Sequence, residues 1–283
     1  MEHYDVLIVG GGAAGIAAAR GAAGKRVLLA ERRPCLGGIL LQCVHNGFGK
    51  AQTGPEYAKS LLEAFPEQVE LALNTSVTQI APHRIATLCS PEKGCYAVSF
   101  SKLILATGCR EIPMGVLPIA GTRPRGVYTA GQLQEMMNMD AFCPEGPAVI
   151  LGSGDLGLVM AWQLARIGIE VSLVEQKSAL GGMARNQRRL EGLPVKKLLE
   201  TTITEVRGWP HLEQVVLADG RILPCKTLLI AVGLRPEQGL CRETGQQPWL
   251  RLCGNASRIH PIVEAVVQEG RDAGAWAAEG ENV

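Results

Sequence analysis

The sequence predicts an α/β fold built from two similar strand–turn–helix–strand units. A glycine-rich turn follows an apolar run near residue 10, and the same pattern returns near residue 152. The composition agrees, because 34 glycines and only 4% aromatic residues suit backbones that pass close to each other or to a ligand. With roughly 150 residues expected per domain, a chain of 283 residues can form two buried cores.

The overall charge and hydrophobicity exclude two function classes. Lys and Arg number 28 against 27 Asp and Glu, and 47% of the residues are hydrophobic. Such a chain is neither disordered nor broadly attracted to nucleic acid. The N-terminus has no basic stretch of a signal peptide, and no apolar run reaches the roughly 18 residues of a membrane helix. We therefore expect a cytoplasmic protein without an integral membrane segment.

The first unit has the pattern of a dinucleotide-binding turn. An apolar strand from Asp5 to Val9 leads into a turn and an Ala-rich helix, and a second strand ends at Glu31. The turn reads Gly10-Gly11-Gly12-Ala13-Ala14-Gly15. The first glycine permits a tight turn, the third lets the backbone approach a pyrophosphate, and the sixth lets helix and strand pack closely. Glu31 can accept both ribose hydroxyls. The alternative is that these glycines serve packing alone.

The second unit repeats this pattern. Its strand, residues 148–151, leads into the turn Gly152-Ser153-Gly154-Asp155-Leu156-Gly157, a helix and a second strand that ends at Glu175. A carboxylate at that position repels a 2′-phosphate, which favours NADH over NADPH. The basic stretch Arg185–Arg189 either attracts a 2′-phosphate, which would weaken this preference, or forms a solvated helix face.

Two later strand ends also resemble each other. Residues 103–108 end in Thr107-Gly108, and residues 228–233 end in Gly233. Each lies about 80 to 100 residues after its glycine turn and ends in a residue that lets the backbone pass a cofactor closely. A duplicated architecture is the simplest explanation.

Nine cysteines are scattered along the chain, at positions 35, 43, 89, 95, 109, 143, 225, 241 and 253. None is separated from another by the two-residue gap of a redox dithiol or a zinc knuckle, and no four form an iron–sulfur cluster. Because the sequence shows no secretion signal, these cysteines are not expected to form disulfides. We expect no metal site and no structural disulfide.

The paired turns resemble the two-dinucleotide flavoprotein family, the pyridine nucleotide-disulfide oxidoreductase superfamily, in its thioredoxin-reductase-like arrangement. The resemblance implies that the first turn binds FAD and the second binds NAD(H). It also implies an FAD-binding domain of residues 1–112 and 236–283 around an NAD(P)-binding domain of residues 113–235. Pro113 and Pro236 mark the two crossings, as short linkers would.

Longer strings narrow this resemblance. Residues 37–49, 53–57, 107–113 and 253–256 are similar to the FAD/NAD subunit found with glycerol-3-phosphate, opine and hydroxyproline dehydrogenases and with cyanide-forming glycine dehydrogenase. The resemblance implies a flavoprotein dehydrogenase partner. Opine-type relatives usually extend into a cysteine-rich iron–sulfur region, which this sequence lacks, so an iron–sulfur partner is also expected.

The resemblance assigns residues to each cofactor. For FAD these are Gly10, Gly12, Ala14, Gly15, Glu31, Arg32, Gly38, Ile39, Val77, Thr107, Gly108, Gly254 and Asn255. For NAD they are Gly152, Gly154, Asp155, Leu156, Gly157, Glu175 and Gly233. The family usually has Asp where this chain has Asn255, which alters the charge but keeps hydrogen bonding to the flavin ribityl chain. The helix that begins near Pro261 is expected to point its N-terminus at the flavin.

The family's redox dithiols are absent from their usual places. A segment similar to that of thioredoxin reductases reads Tyr128-Thr129-Ala130-Gly131-Gln132-Leu133, without cysteine, and only Cys43 follows the Gly37-Gly38 turn. A lone thiolate at Cys43, assisted by His45, would resemble that of single-cysteine NADH oxidases, peroxidases and disulfide reductases. The alternative is a small buried side chain beside a structural histidine.

The sequence thus leads to one main hypothesis and two alternatives. The main one is an FAD-dependent oxidoreductase that exchanges hydride between NAD(H) and FAD and passes electrons to or from a small-molecule acceptor or a partner dehydrogenase subunit. The second is a thiol-assisted enzyme that uses Cys43. The third is a scaffold subunit that binds FAD without catalysis.

Overall fold

The computed structural model describes residues 1–242 and 244–279. Its strands are β1 (Glu2–Val9), β2 (Val27–Ala30), β3 (Glu70–Ala72), β4 (Ser76–Ala81), β5 (Ile85–Ser90), β6 (Gly94–Leu105), β7 (Cys109–Glu111), β8 (Ala120–Gly121), β9 (Val127–Thr129), β10 (Ala148–Leu151), β11 (Val171–Val174), β12 (Val195–Leu198), β13 (Ile203–Arg207), β14 (Gln214–Leu217), β15 (Ile222–Pro224), β16 (Thr227–Ile230), β17 (Leu234–Pro236) and β18 (Leu250–Leu252). Its α-helices are α1 (Ala13–Gly21), α2 (Gly54–Leu62), α3 (Ala130–Met139), α4 (Asp155–Arg166), α5 (Ala184–Arg188) and α6 (Val263–Ala278).

The chain divides into two compact units. Unit 1 comprises Met1–Arg110 and the segment that begins at Arg235, and unit 2 comprises Glu111–Leu234. Each unit has its own sheet with a set of parallel strands. The predicted α/β class is confirmed.

The sheet of unit 1 has the strand order β3-β2-β1-β6-β5-β4, and β18 also pairs with β6. The pairs around β1 are parallel, whereas β4, β5 and β6 pair antiparallel. Val6, Leu7 and Ile8 of β1 are fully buried. Parallel strands covered on both faces read as such continuous apolar runs.

Helices α1 and α6 pack together through small residues. A Cβ added at Gly270 would collide with the carbonyl oxygen of Ala14, and one added at Gly274 would collide with that of Ala18. The Ala-rich helix and the high glycine content therefore reflect a close helix–helix contact as well as the glycine turns.

Unit 2 contains an all-parallel sheet of order β12-β11-β10-β16-β9 and a second sheet of order β15-β14-β13-β8. Helix α4 follows β10 directly after the second glycine turn. Its buried residues Leu158, Met160 and Leu164 pack with the sheet residues Ile150 and Leu173 in one core cluster.

The expectation that no cysteines form a disulfide is wrong for one pair. Cys89 and Cys95 are disulfide-bonded, with Cα atoms 4.1 Å apart. They lie directly opposite each other in the antiparallel pair β5–β6. A hairpin makes direct neighbours of residues six positions apart, and a search for short cysteine motifs does not detect this. The other described cysteines are not joined to one another by disulfides.

Within residues 1–242 and 244–279, no helix is both long and apolar enough to span a bilayer. The same residues hold no group of three or more His, Cys, Asp or Glu side chains that could ligate a metal ion.

Candidate cofactor sites

The first glycine turn connects β1 to α1, and two of its glycines are required by packing. Gly10 has a φ of +105°, and a Cβ there would collide with the carbonyl oxygen of Ala106. A Cβ at Gly15 would collide with the carbonyl oxygen of Gly10. Any side chain at these positions would therefore displace the turn from the sheet.

The face of the turn at Gly12, in contrast, is open. A Cβ at Gly12 would have only the Cα of Gly38 within reach, at 4.0 Å. Gly12 is the N-cap of α1, and no side chain caps that helix. The first amide groups of α1 thus lack intrahelical partners and carry the positive end of the helix dipole. The turn leaves room for a phosphate and provides donors for it.

Glu31 joins the glycine turn to the end of β2. Its carboxylate accepts hydrogen bonds from the backbone amides of Gly11 (2.6 Å) and Arg33 (2.8 Å), and its residue is 6% exposed. The Glu31 carbonyl oxygen accepts from the amide of Thr75 (2.9 Å), which brings the start of β4, and so Val77, to the same strand end. Arg32 follows Glu31 directly and is exposed.

The C-terminal segment of unit 1 meets the first turn of α1. A Cβ at Gly254 would come within 2.7 Å of the Cβ of Ala14. Asn255 accepts a hydrogen bond from the amide of His260 (2.9 Å) and donates to the Sγ of Cys109 (3.7 Å). Asn255 therefore links the segment before α6 to the chain just after the Thr107-Gly108 strand end.

The expected Thr107 and Gly108 lie at that strand end. The Thr107 hydroxyl donates to the carbonyl oxygen of Glu237 (2.6 Å), and a Cβ at Gly108 would have no atom within 4 Å. Ile39 is 58% exposed. Helix α6 starts at Val263, two positions after Pro261, and its first-turn Glu264 accepts a hydrogen bond from the amide of Gly49 (3.1 Å).

The second glycine turn, in unit 2, reproduces the first. Gly152 has a φ of +102°, and a Cβ there would collide with the carbonyl oxygen of Ala231. A Cβ at Gly157 would collide with the carbonyl oxygen of Gly152, whereas one at Gly154 would meet nothing within 4 Å. At the three glycine positions that the two turns share, two glycines are packed and one is open in both units; the additional Gly11 of unit 1 packs on the Leu36 side chain. Gly233 lies just after the end of β16, as Gly108 lies just after the end of β6 in unit 1.

Glu175 occupies the position that Glu31 has in unit 1. It accepts hydrogen bonds from the Ser153 amide (2.9 Å), the Ser153 hydroxyl (2.5 Å) and the Lys177 amide (3.0 Å). Burial disfavours its ionisation, but the hydrogen bonds from Ser153 and Lys177 outweigh burial and lower the pKa of Glu175. A negative charge is thus held at the end of β11, beside the second glycine turn.

Asp155 binds the segment at Met183 and Asn186, a contact that the sequence analysis did not predict. Its carboxylate accepts from the Met183 amide and the Asn186 side chain, both at 2.7 Å. It lies in the first turn of α4, where a negative charge is favourable. Leu156, next in the turn, packs against the core of unit 2.

A second repeat was also missed. Leu-Gly-Gly follows each glutamate at the same distance, as Leu36-Gly37-Gly38 after Glu31 and as residues 180–182 after Glu175. A Cβ at Gly38 would be 3.0 Å from the Cα of Gly12, and one at Gly182 would be 2.9 Å from the Asp155 amide. Both Gly-Gly turns therefore approach a glycine turn. The signal was present as a repeated string.

The arginines of the basic stretch in unit 2 have different surroundings. Arg189 lies over the ring of Trp162, 5.3 Å from its centroid, whereas Arg185 and Arg188 lie on α5 and are both exposed. This pair fits the interpretation as a solvated helix face.

Cys43 lies in an apolar environment. It is 9% exposed, and burial raises the pKa of its thiol to about 12. Its Sγ donates a hydrogen bond to the carbonyl oxygen of Ile39 (3.3 Å), and His45 packs its ring 5.4 Å from that of Phe48. Such a thiol stays protonated at neutral pH, which favours the packing interpretation. Burial raises the pKa values of Cys225 and Cys253 in the same way, each to about 12.

Unit 1 also contains a cavity of about 990 Å³ beside β18, with Arg110, Arg235 and Arg242 in its lining. Arg110 forms an ion pair with Glu237. Sequence reasoning missed this cavity because no local pattern joins its lining residues.

Comparisons with known proteins identify several relatives. The chain is 28% identical to hydrogen cyanide synthase subunit HcnB of Pseudomonas protegens, over 84% of this chain and 58% of that protein. It is 28% identical to an opine oxidase subunit of Agrobacterium tumefaciens, over 86% of this chain and 55% of that protein. The chain thus spans somewhat over half the length of these relatives.

Solved structures share the fold. Thioredoxin reductase of Lactococcus lactis superposes with a TM-score of 0.78 at 21% identity, over 97% of each chain. L-proline dehydrogenase of P. horikoshii gives a TM-score of 0.74 at 20% identity, over 97% of this chain and 55% of that one. The family model described as pyridine nucleotide-disulphide oxidoreductase matches residues 4–249. The chain belongs to the pyridine nucleotide-disulphide oxidoreductase family.

Proposed function

We propose that this oxidoreductase binds FAD at the glycine turn of unit 1 and NAD(H) at that of unit 2, and that it passes electrons to or from an acceptor or a partner dehydrogenase subunit. The observation that carries this proposal is the duplicated turn: at the glycine positions they share, each turn has two glycines locked by packing and one open glycine, and a carboxylate is hydrogen-bonded to each turn. A protein with a single dinucleotide-binding site would require only one such turn.

Each unit's residues have separable roles in this proposal. In unit 1 the open Gly12 and the uncapped start of α1 bind the pyrophosphate, and Glu31 binds the ribose while it holds the turn. Asn255 fixes the segment before α6 through the His260 amide. The bound cofactors supply the hydride-transfer chemistry, so the chain needs to bind, orient and shield them.

In unit 2 Gly154 and the start of α4 bind the second pyrophosphate. Glu175 binds the ribose hydroxyls and repels a 2′-phosphate, because Ser153 and Lys177 keep its carboxylate ionised. Neither Arg185 nor Arg188 of α5 neutralises it through a contact seen in the described residues. We therefore expect a preference for NADH over NADPH.

The relatives suggest where the electrons go. Their names are those of components of larger enzymes: subunits of a hydrogen cyanide synthase, an opine oxidase and a sarcosine oxidase. By analogy, this chain works with at least one partner subunit, and the sequence resemblance suggests a flavoprotein dehydrogenase and an iron–sulfur protein as partners.

An anaerobic titration tests the proposal. The purified chain, reconstituted with FAD, is titrated with NADH and separately with NADPH while the absorbance of oxidised flavin is followed. Rapid loss of this absorbance with NADH, and a much slower loss with NADPH, is the expected result. FAD retention without reduction by either nucleotide would instead indicate the scaffold alternative. Loss of activity in a Cys43→Ser variant that still binds both cofactors would indicate the thiol-assisted alternative.

A further inference from the structure

The Cys89–Cys95 disulfide joins β5 and β6 next to the turn of their hairpin. The two residues face each other in the strand register, with Cα atoms 4.1 Å apart, close to the roughly 4.5 Å of a non-hydrogen-bonded cross-strand pair. The loop between the strands, residues 91–93, is short. The hairpin therefore keeps both sulfurs within bonding reach whether they are oxidised or reduced.

The pair lies beside the strand that leads away from Glu31. Ser76, at the start of β4, is paired with Cys89, and the amide of the preceding Thr75 donates a hydrogen bond to the carbonyl oxygen of Glu31 (2.9 Å). Because Cys95 is exposed, an exchange partner can reach this pair from solution.

The two sulfurs differ in their surroundings. Cys95 is exposed, whereas Cys89 is half-buried. The hydroxyl of Thr78, on the neighbouring β4, lies 4.0 Å from the Cys89 Sγ. An incoming thiolate therefore reaches Cys95 more easily. The Thr78 hydroxyl donates to the carbonyl oxygen of Thr87 (3.3 Å), and rotation about its C–O bond would redirect this hydrogen bond to a thiolate left on Cys89.

We propose that Cys89 and Cys95 form a reversible thiol–disulfide exchange site for low-molecular-weight thiols, with Cys95 as the attacked sulfur and Cys89 as the leaving thiol. A glutathione thiolate attacks the Cys95 Sγ, and the bonding electron pair leaves with Cys89, which takes a proton from water. A second glutathione thiolate attacks the glutathione sulfur of the mixed disulfide and releases the Cys95 thiolate. Two glutathione molecules are oxidised to glutathione disulfide, and one disulfide is reduced to two thiols.

The hairpin sequence allows a direct assay. Trypsin cleaves after Arg84, Lys93 and Lys102, so the oxidised pair yields peptides 85–93 and 94–102 joined by a disulfide. The folded FAD-reconstituted chain is equilibrated in buffers of graded glutathione-to-glutathione-disulfide ratio, quenched in acid, alkylated and digested. We expect the linked peptides at the oxidising end and two alkylated peptides at the reducing end, with a reversible midpoint between them.

Single variants test the assigned roles. Cys89→Ser leaves Cys95 to hold glutathione, and we expect it to form the mixed disulfide about fivefold or more faster than Cys95→Ser does. Thr78→Val preserves the side-chain shape but removes the hydroxyl. We expect it to slow reduction about threefold, the effect of about one unit in the leaving thiol's pKa.

Four results would overturn the proposal or the roles assigned in it. The linked peptides never form in the oxidising buffers, or they persist in the most reducing buffer until the protein is denatured. Alternatively, the two cysteine variants react at equal rates, or Thr78→Val reacts as fast as the natural chain, which would refute the assigned order of attack. Far-UV circular dichroism of each variant establishes that the hairpin sheet is retained.

Discussion

Replacing Gly154 with alanine separates cofactor binding from folding in unit 2. Gly154 has an ordinary φ of −65°, and an added methyl group would meet no atom within 4 Å. Alanine is a poorer N-cap residue than glycine, which lowers stability slightly. Alanine also reduces the conformational entropy of the unfolded chain, which raises stability slightly. We therefore expect the free energy of unfolding to change by less than about 1 kcal/mol.

The same methyl group would occupy the space that we assign to the NADH pyrophosphate. It would remove at least one hydrogen bond to a charged group, a loss of about 1.5–3 kcal/mol. That corresponds to about a tenfold to hundredfold rise in the Kd for NADH. FAD content should be unaffected, because Gly12 and its turn lie in unit 1.

The assay combines NADH binding, measured by equilibrium titration, with thermal unfolding. Gly115→Ala is the matched control, because its added Cβ also meets nothing within 4 Å and it lies in the same unit away from the turn. Gly152→Ala should instead destabilise unit 2, since the added Cβ collides with the Ala231 carbonyl. If Gly154→Ala binds NADH as tightly as Gly115→Ala does, the second glycine turn is not the pyrophosphate site.

Three further predictions concern the fold and the first site. Gly12→Ala should fold normally but lose FAD on gel filtration, because its added methyl group faces the open side of the turn; flavin retention equal to that of the natural chain would contradict the site. Gly270→Ala should lower the free energy of unfolding by about 1–3 kcal/mol, because its Cβ collides with the Ala14 carbonyl, and an unchanged urea midpoint would refute this contact. The buried thiols have pKa values raised in the folded state, so their contribution to stability is complete below the unfolded value of about 9 and falls as the pH rises towards 12. Cys43→Ser should therefore make the decline of the urea midpoint between pH 9 and 11 shallower, and an identical slope would argue against its burial.

Local sequence patterns predicted most of the fold and of the candidate cofactor sites. Each glycine turn, its helix and its acidic strand end lie within about twenty consecutive residues, so their contacts follow from the chain itself. Gly10 and Gly152 are glycines for the same reason, because a neighbouring strand's carbonyl group occupies the space of a Cβ. The repeated Leu-Gly-Gly string was equally local and could have been found.

Other features depend on residues that the chain brings together from a distance. The Cys89–Cys95 bond follows from strand register, the contact of Gly254 with Ala14 from the packing of the last helix on the first, and the high pKa of Cys43 from its enclosure. The sequence by itself determined the duplicated turns, because a backbone conformation and a helix start are properties of neighbouring residues. Only the tertiary structure decided which thiols are paired, buried or exposed, because desolvation and cross-strand distance depend on what the rest of the chain places around them.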